Sequence, residues 1–216
     1  QAVHDYVVGS LPLTYKILGF LVGFRGDREE GMKMLRFVAE KGNLNRADAA
    51  VLLSAILRRE KRANDAIPLL AGLIKQFPRN YLLRMELSTM YGDIGDKTSA
   101  IAQLDQLEKL RAAGSAGLKK LSAERIDYAK GNVYFWYDDL DQAVAHLTRA
   151  TAKAQTFDLN TGALTWMRLG QTYDLKGDRD QAKRAYAQAV KIAPQSDLAK
   201  ESLEYINSPY KRKKKS

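Results

Sequence analysis

The amino-acid sequence predicts an all-α fold, a right-handed α-α superhelix (solenoid) in which pairs of helices stack side by side. One observation is the spacing of apolar and small residues between positions 163 and 196: Trp166, Leu169, Gly170, Tyr173, Ala182, Tyr186 and Pro194. Related spacings recur along the chain at intervals of roughly 34 to 43 residues. In addition, 45% of the residues are apolar and only 5 of the 216 are proline, which suits a helical core. Because one helix pair cannot bury its own apolar face, the pairs are expected to stack.

About five helix pairs follow from this spacing, and their predicted ranges are 12–45, 47–80, 81–114, 124–157 and 163–196. Residues 1–11 are predicted to be the end of a preceding helix. Residues 197–207 are predicted to form a C-terminal capping helix, because their apolar side chains recur at helical spacing: Leu198, Leu203 and Ile206. Residues 208–216 are predicted to be a basic disordered tail.

The regular period is interrupted twice. About nine extra residues lie between Gly114 and Glu124, where the sequence predicts a short break and then an early, extended start of the next helix. Residues 158–162 form a second, shorter interruption before the fifth pair. The concave side of the superhelix is expected to widen at the first interruption.

The spacing that begins at Trp166 resembles that of the tetratricopeptide repeat superfamily, and the similarity covers roughly residues 12–196. This resemblance implies a superhelix whose first helices line a concave groove that binds peptides or helices of other proteins. Residues 23–31 are also similar to a segment of the inclusion-body-clearance and tetratricopeptide-repeat-protein-39 family. In some relatives Lys, Asn and Arg side chains grip a C-terminal carboxylate. In the first three repeats only Lys16 matches that arrangement, so chaperone C-terminal tails are not expected as partners.

Helical spacing identifies the residues expected to face the groove and to contact a peptide. They are Lys16, Phe20, Arg58, Met85, Thr89, Tyr128, Asn132, Phe135, Trp136, Met167 and Gln171. The alternative is that part of this set packs between repeats. The aromatic residues of the fourth repeat, including Tyr128, Phe135 and Trp136, are the predicted hot spot. Alternatively, they fill the wider gap created by the two interruptions.

The formal net charge of +10 is concentrated at the C-terminal end, where five consecutive basic residues supply half of it: Lys211, Arg212, Lys213, Lys214 and Lys215. One interpretation is a solvated arm. The other is attachment to nucleic acid or to an anionic membrane through this tail and the basic cluster at residues 58–62. The primary hypothesis remains a protein or peptide partner.

The sequence contains none of the residue groups expected for catalysis, a metal or a cofactor. Cysteine is absent, and His4 and His146 have no partner at ligand spacing. No phosphate-binding GxxxxGK loop is present. The chain is therefore predicted to be a non-enzymatic scaffold without cofactors. It is also expected to be soluble, because no apolar run reaches the length of a membrane span and no signal peptide is evident. The cellular compartment, the oligomeric state and what precedes Gln1 stay open.

Overall fold

The computed structural model describes residues 28–42 and 45–212, and all the regular elements within these ranges are helices. The chain divides into two compact units, one before and one after the Phe77–Pro78 bond. Several predictions lie outside the described residues: the helix end at 1–11, the first helix of the first repeat with Lys16 and Phe20, and Lys213 to Lys215.

The first unit contains three described helices: α1 (Arg28–Lys41), α2 (Arg46–Arg59) and α3 (Ala63–Gln76). Helix α2 packs against both α1 and α3. Its inward face carries Leu53 and Leu57, which are fully buried, and Leu70 of α3 is nearly so. Leu53 and Leu57 lie four residues apart on one face of an amphipathic helix, and the burial of all three leucines stabilises the three-helix arrangement.

The second unit contains seven helices, which pack mainly against their neighbours in the chain. They are α4 (Tyr81–Asp93), α5 (Lys97–Ala112), α6 (Ala123–Trp136), α7 (Leu140–Thr151), α8 (Leu159–Lys176), α9 (Arg179–Ile192) and α10 (Asp197–Asn207). A short 3₁₀ turn at Ala154–Thr156 lies between α7 and α8. Helices α4 with α5, α6 with α7 and α8 with α9 form pairs, and α10 packs on the last of these. This is the predicted α-α fold with a helix after the last pair.

Two glycines allow the helices of a pair to approach each other closely. A Cβ atom on Gly170 of α8 would lie 2.6–2.9 Å from three ring atoms of Tyr186 in α9. A Cβ atom on Gly131 of α6 would similarly lie 2.6 Å from Cγ of Leu147 in α7. Carbon atoms normally pack at about 3.5–4.0 Å, so no larger residue fits at either glycine without displacing the partner helix.

The helices of the second unit begin at polar caps, which explains where the connections end. Five caps accept a hydrogen bond from the backbone N–H three residues later: Asp96, Ser122, Asp158, Asp178 and Ser196. The turn between α6 and α7 has Asp138 in the left-handed conformation, with φ 63°, where the last pair uses Gly177. Aspartate tolerates this conformation better than most side chains, so the turn keeps its geometry without glycine.

The connection between α5 and α6 differs from its prediction. Helix α6 begins only at Ala123, and residues 113–122 form turns instead of the expected early helix start. Leu118 and Leu121 of this connection are buried against Leu104 and Ile126. An early helix start is not needed here, because the two leucines fill the gap between α5 and α6 from a loop. No helix in the described ranges is long and apolar enough to span a membrane.

Candidate peptide-binding face

The guanidinium group of Arg168 lies at the centre of a polar and aromatic cluster between α6 and α8. Its Nε donates to Asn132 Oδ1 at 3.0 Å, and its Nη1 donates to Gln171 Oε1 at 2.9 Å. The same group lies 4.5 Å from the ring centre of Phe135 and 4.9 Å from that of Trp136. Within the described part of the chain no carboxylate forms an ion pair with Arg168, and burial lowers the pKa of its guanidinium.

Tyrosines extend this cluster on both sides. Asn132 Nδ2 donates to the carbonyl oxygen of Tyr128 at 3.1 Å, and burial raises the pKa of the Tyr128 hydroxyl. On the other side, the Tyr205 hydroxyl of α10 donates to Glu201 at 2.6 Å. Burial and this hydrogen bond raise the pKa of Tyr205 to about 12. We call the surface formed by Tyr128, Asn132, Trp136, Arg168 and Tyr205 the Arg168 face.

Asp174, in the last turn of α8, organises the edge of this face. Its carboxylate accepts hydrogen bonds at 2.8 Å from Arg179 Nη1, from the Tyr186 hydroxyl and from the Tyr210 backbone N–H. Only 1% of its side chain is exposed. Arg179 also donates to the carbonyl oxygens of Tyr205 and Ile206 at 2.6 Å, at the C-terminal end of α10. A buried carboxylate of this kind is tolerated because hydrogen-bond donors surround it.

The segment Ser208–Arg212 is docked on this edge, which corrects the prediction that the whole of 208–216 is a disordered tail. The Arg212 guanidinium donates to the carbonyl oxygens of Phe135 and Trp136 and, at 3.0 Å, to Asp138 Oδ1. It also lies 4.8 Å from the ring centre of Phe135. The prediction treated Arg212 as one charge of a solvated run, whereas its planar group donates to the last carbonyls of α6, where the helix dipole favours a cation.

Comparison with known proteins identifies the type of repeat. A sequence model of the tetratricopeptide repeat matches residues 163–196, the interval that contains the Trp166 to Pro194 spacing. Residues 163–196 are therefore a tetratricopeptide repeat. No curated protein sequence matches it significantly.

Several solved structures are similar to the chain, and two of the three described here carry tetratricopeptide or tetratricopeptide-like repeats. BtubC (BKLC) from P. vanneervenii has a TM-score of 0.62 at 20% identity, over 100% of this chain and 89% of that one. TTC0263, a tetratricopeptide repeat protein of Thermus thermophilus, has a TM-score of 0.58 at 22% identity, over 88% and 96%. A putative kinesin light chain of Podospora anserina with tetratricopeptide-like repeats has a TM-score of 0.59 at 16% identity, over 75% and 84%. At these identities the similarity concerns the fold.

The structure places the groove residues predicted in the fourth and fifth tetratricopeptide repeats in two different environments. Tyr128 and Asn132 are half-buried beside Arg168, and the Trp136 side chain is 59% exposed. Phe135 and Met167 are buried, at 0% and 3% exposure.

The buried members of the predicted set pack inside the repeats. Phe135 belongs to the core of the α6–α7 pair with Leu147, and Met167 packs against Tyr186 in the α8–α9 pair. Phe135 and Met167 were predicted to contact a ligand, and their burial corrects that prediction. The apolar stripe on the first helix of each pair continues into the contact with the second helix, so these two side chains pack there. Gln171 is also buried, but its amide reaches Arg168.

The structure describes three more of the predicted groove residues. Met85 of α4 is partly buried against Leu104 and Leu107, and Thr89 donates to the Met85 carbonyl oxygen at 3.1 Å. Arg58 is exposed on α2 in the first unit. The described contacts therefore bring the predicted residues of α6 and α8 together in the Arg168 cluster.

His146 has a partner that the sequence spacing did not reveal. Its Nδ1 lies 2.7 Å from Asp127 Oδ1, and Arg149 Nε donates to the same oxygen at 3.0 Å. The imidazole stacks on Tyr134 with the ring centres 5.3 Å apart. Burial opposes ionisation of Asp127, but the hydrogen bonds from His146 and Arg149 outweigh it and lower the pKa of the carboxyl. The described residues contain no group of three or more His, Asp or Glu that could hold a metal.

Sequence reasoning missed Arg168, Tyr205 and Tyr210 as parts of the site. Arg168 carried one usable signal, because it is one of only three charged residues in α8. The roles of Tyr205 and Tyr210 depend on contacts between residues that are distant in sequence. No local pattern could have indicated them.

Proposed function

We propose that the chain is a non-enzymatic scaffold that binds a peptide or helix of a protein partner on the Arg168 face. Tetratricopeptide repeat proteins are protein-interaction scaffolds in general. The observation that carries the assignment is the pair formed by the exposed Trp136 ring and the Arg168 guanidinium beside it. Trp, Tyr and Arg are the residues that most often dominate binding energy at protein interfaces.

The chemistry of Arg168 suggests what a partner would bring. A desolvated guanidinium is stabilised by acceptors, and here Arg168 has two neutral amide oxygens and, among the described residues, no ion-paired carboxylate. A partner that places a carboxylate or a backbone carbonyl at this position would form a charge-assisted hydrogen bond. The flanking Tyr128 and Trp136 would cover apolar side chains of the same peptide, as expected for an amphipathic helix or an extended segment.

Affinity capture from the source cell with matched variants tests the proposal. Trp136→Ala and Arg168→Gln are expected to lose the partner, and titration of the identified partner should weaken by at least about tenfold. Phe37→Ala is the control, since Phe37 is an exposed aromatic residue of α1 with 66% exposure. Circular dichroism should show unchanged helicity for all three variants. If both face variants capture the same partner as strongly as the wild type, the assignment to this face is refuted.

The structure lends no support to nucleic-acid or anionic-membrane attachment. Arg62 of the basic cluster at residues 58–62 pairs with Glu29 and Asp65, at 3.1 and 2.8 Å. Arg212 of the basic tail contacts protein carbonyls and Asp138. Two of the charges on which that alternative depends are thus engaged within the protein, and no second function is proposed.

A further inference from the structure

The C-terminal segment crosses the C-terminal ends of three helices in an extended conformation. It leaves α10 at Asn207, places Tyr210 beside Asp174 at the end of α8, and places Arg212 on the last carbonyls of α6. Neighbouring helices lie about 8–10 Å apart, so α10 and α6 are separated by about two such spacings. Five extended residues span about 17 Å. The length of the segment therefore matches the separation of the helices beneath it.

Tyr210 and Arg212, the two residues that anchor the segment, each contact groups suited to them. The Tyr210 ring packs edge-on against Tyr205 at 5.3 Å and obliquely against Phe135 at 6.1 Å, and its backbone N–H is held by Asp174. The Arg212 guanidinium donates hydrogen bonds to two helix-end carbonyls and one carboxylate, and it lies over an aromatic ring. Lys211 between them is exposed. The edge is thus complementary to an aromatic residue that is followed two positions later by an arginine.

The fit of the segment is incomplete. Arg212 Nε is buried and has no hydrogen-bond partner among the described atoms. A buried donor left unpaired opposes binding. The docked segment is also short, so another segment with the same chemistry can replace it.

We propose that this edge is a recognition site for an extended peptide of a partner in which an aromatic residue is followed two positions later by arginine, and that Ser208–Arg212 occupies the site in cis. The arginine specificity follows from geometry, because a planar guanidinium contacts two carbonyls, a carboxylate and a ring at once, which an ammonium group cannot do. The edge shares Tyr205 and the Trp136 carbonyl with the Arg168 face, but Asp174 and Asp138, which also hold the segment, lie outside that face. The inference therefore goes beyond the proposed function and is tested without a cellular partner.

The test uses the full chain and a fluorescently labelled peptide with the sequence of residues 207–212. Arg212→Glu should release the segment, because a carboxylate replaces the guanidinium against carbonyl oxygens and Asp138. Lys211→Glu makes the same change of charge at an exposed neighbouring position and is the matched control. The release is measured by hydrogen exchange of the Tyr210 amide, and peptide binding is measured by fluorescence anisotropy.

The Arg212→Glu variant is expected to bind the peptide at least tenfold more tightly than the wild type or Lys211→Glu does. Peptides with lysine in place of the arginine, or alanine in place of the tyrosine, should bind at least tenfold more weakly. If Arg212→Glu lowers helicity, Arg212→Gln replaces it and the same outcomes are required. A Tyr210 amide that stays protected, or peptide affinity that does not rise when the amide is released, overturns the proposal. A wild-type dimer that Arg212→Glu dissociates would make a second copy the occupant and would overturn the assignment in cis.

Discussion

Replacing Gly170 by alanine tests whether close helix approach holds the last repeat together. The new Cβ would lie 2.6–2.9 Å from three atoms of the Tyr186 ring. Because carbon atoms pack at about 3.5–4.0 Å, the ring would have to retreat by about 1 Å. It cannot do so freely, since Tyr186 is fully buried and its hydroxyl donates to Asp174 at 2.8 Å.

The magnitude follows from two opposing terms. Overpacking in a well-packed core costs about 1–3 kcal/mol, and the anchored ring places this site in the upper part of that range. Replacing glycine by alanine inside a helix raises the free energy of unfolding by about 1 kcal/mol, because the unfolded chain then has less conformational entropy. Gly170→Ala is therefore expected to lower the free energy of unfolding by about 1–2 kcal/mol.

Urea unfolding followed by circular dichroism measures this change. Gly92→Ala is the matched control, because a Cβ atom on Gly92 in α4 would meet nothing within 4 Å. That variant should be unchanged or up to about 1 kcal/mol more stable. In a double-mutant cycle, Tyr186→Leu should relieve part of the cost of Gly170→Ala. If Gly170→Ala is as stable as Gly92→Ala, the close-approach reasoning is wrong.

Three further predictions concern other parts of the second unit. Leu147→Ala should lower the free energy of unfolding, measured in urea, by about 2–5 kcal/mol. The reason is that Leu147 is fully buried against Gly131 and the helices cannot collapse onto the cavity. A loss below about 1 kcal/mol would contradict that packing. The folded state lowers the pKa of Asp127 from its ordinary value of 3.8, so its stabilising effect is complete above that pH and is lost as the pH falls through the folded-state pKa. Asp127→Asn should therefore flatten the acid side of the stability–pH curve below about pH 4, and an unchanged curve would refute the role of the carboxylate. Trp136→Ala should change stability by less than about 1 kcal/mol, as expected for an exposed side chain, and a larger loss would show that Trp136 is part of the core.

The helix pairs were predictable because their signals are local. Gly170 and Tyr186 lie at the spacing that brings two packed helices together, and the structure shows their contact. Capping aspartates such as Asp178 mark helix starts by a hydrogen bond to the residue three positions on. The connection at residues 113–122 was not predictable in the same way, because two leucines can fill a gap from a loop as well as from a helix.

The candidate site was only partly predictable. Helical periodicity placed Tyr128, Asn132 and Trp136 near one face, and the contacts of Arg168 bring them together. Periodicity could not decide whether Phe135 points toward a ligand or toward the second helix of its pair. That choice depends on how far the apolar stripe of α6 extends around the helix, which the packing of α7 and α8 sets.

By itself the sequence determined that this chain is a stack of helix pairs, because glycine spacing, capping residues and apolar periodicity act between residues close along the chain. Only the tertiary structure decided which aromatic side chains are exposed and where the basic C-terminal segment lies. Arg212 contacts Phe135 across 77 positions, and Tyr210 contacts Asp174 across 36. Contacts over such separations arise from the packing of already formed helices, so no local pattern encodes them.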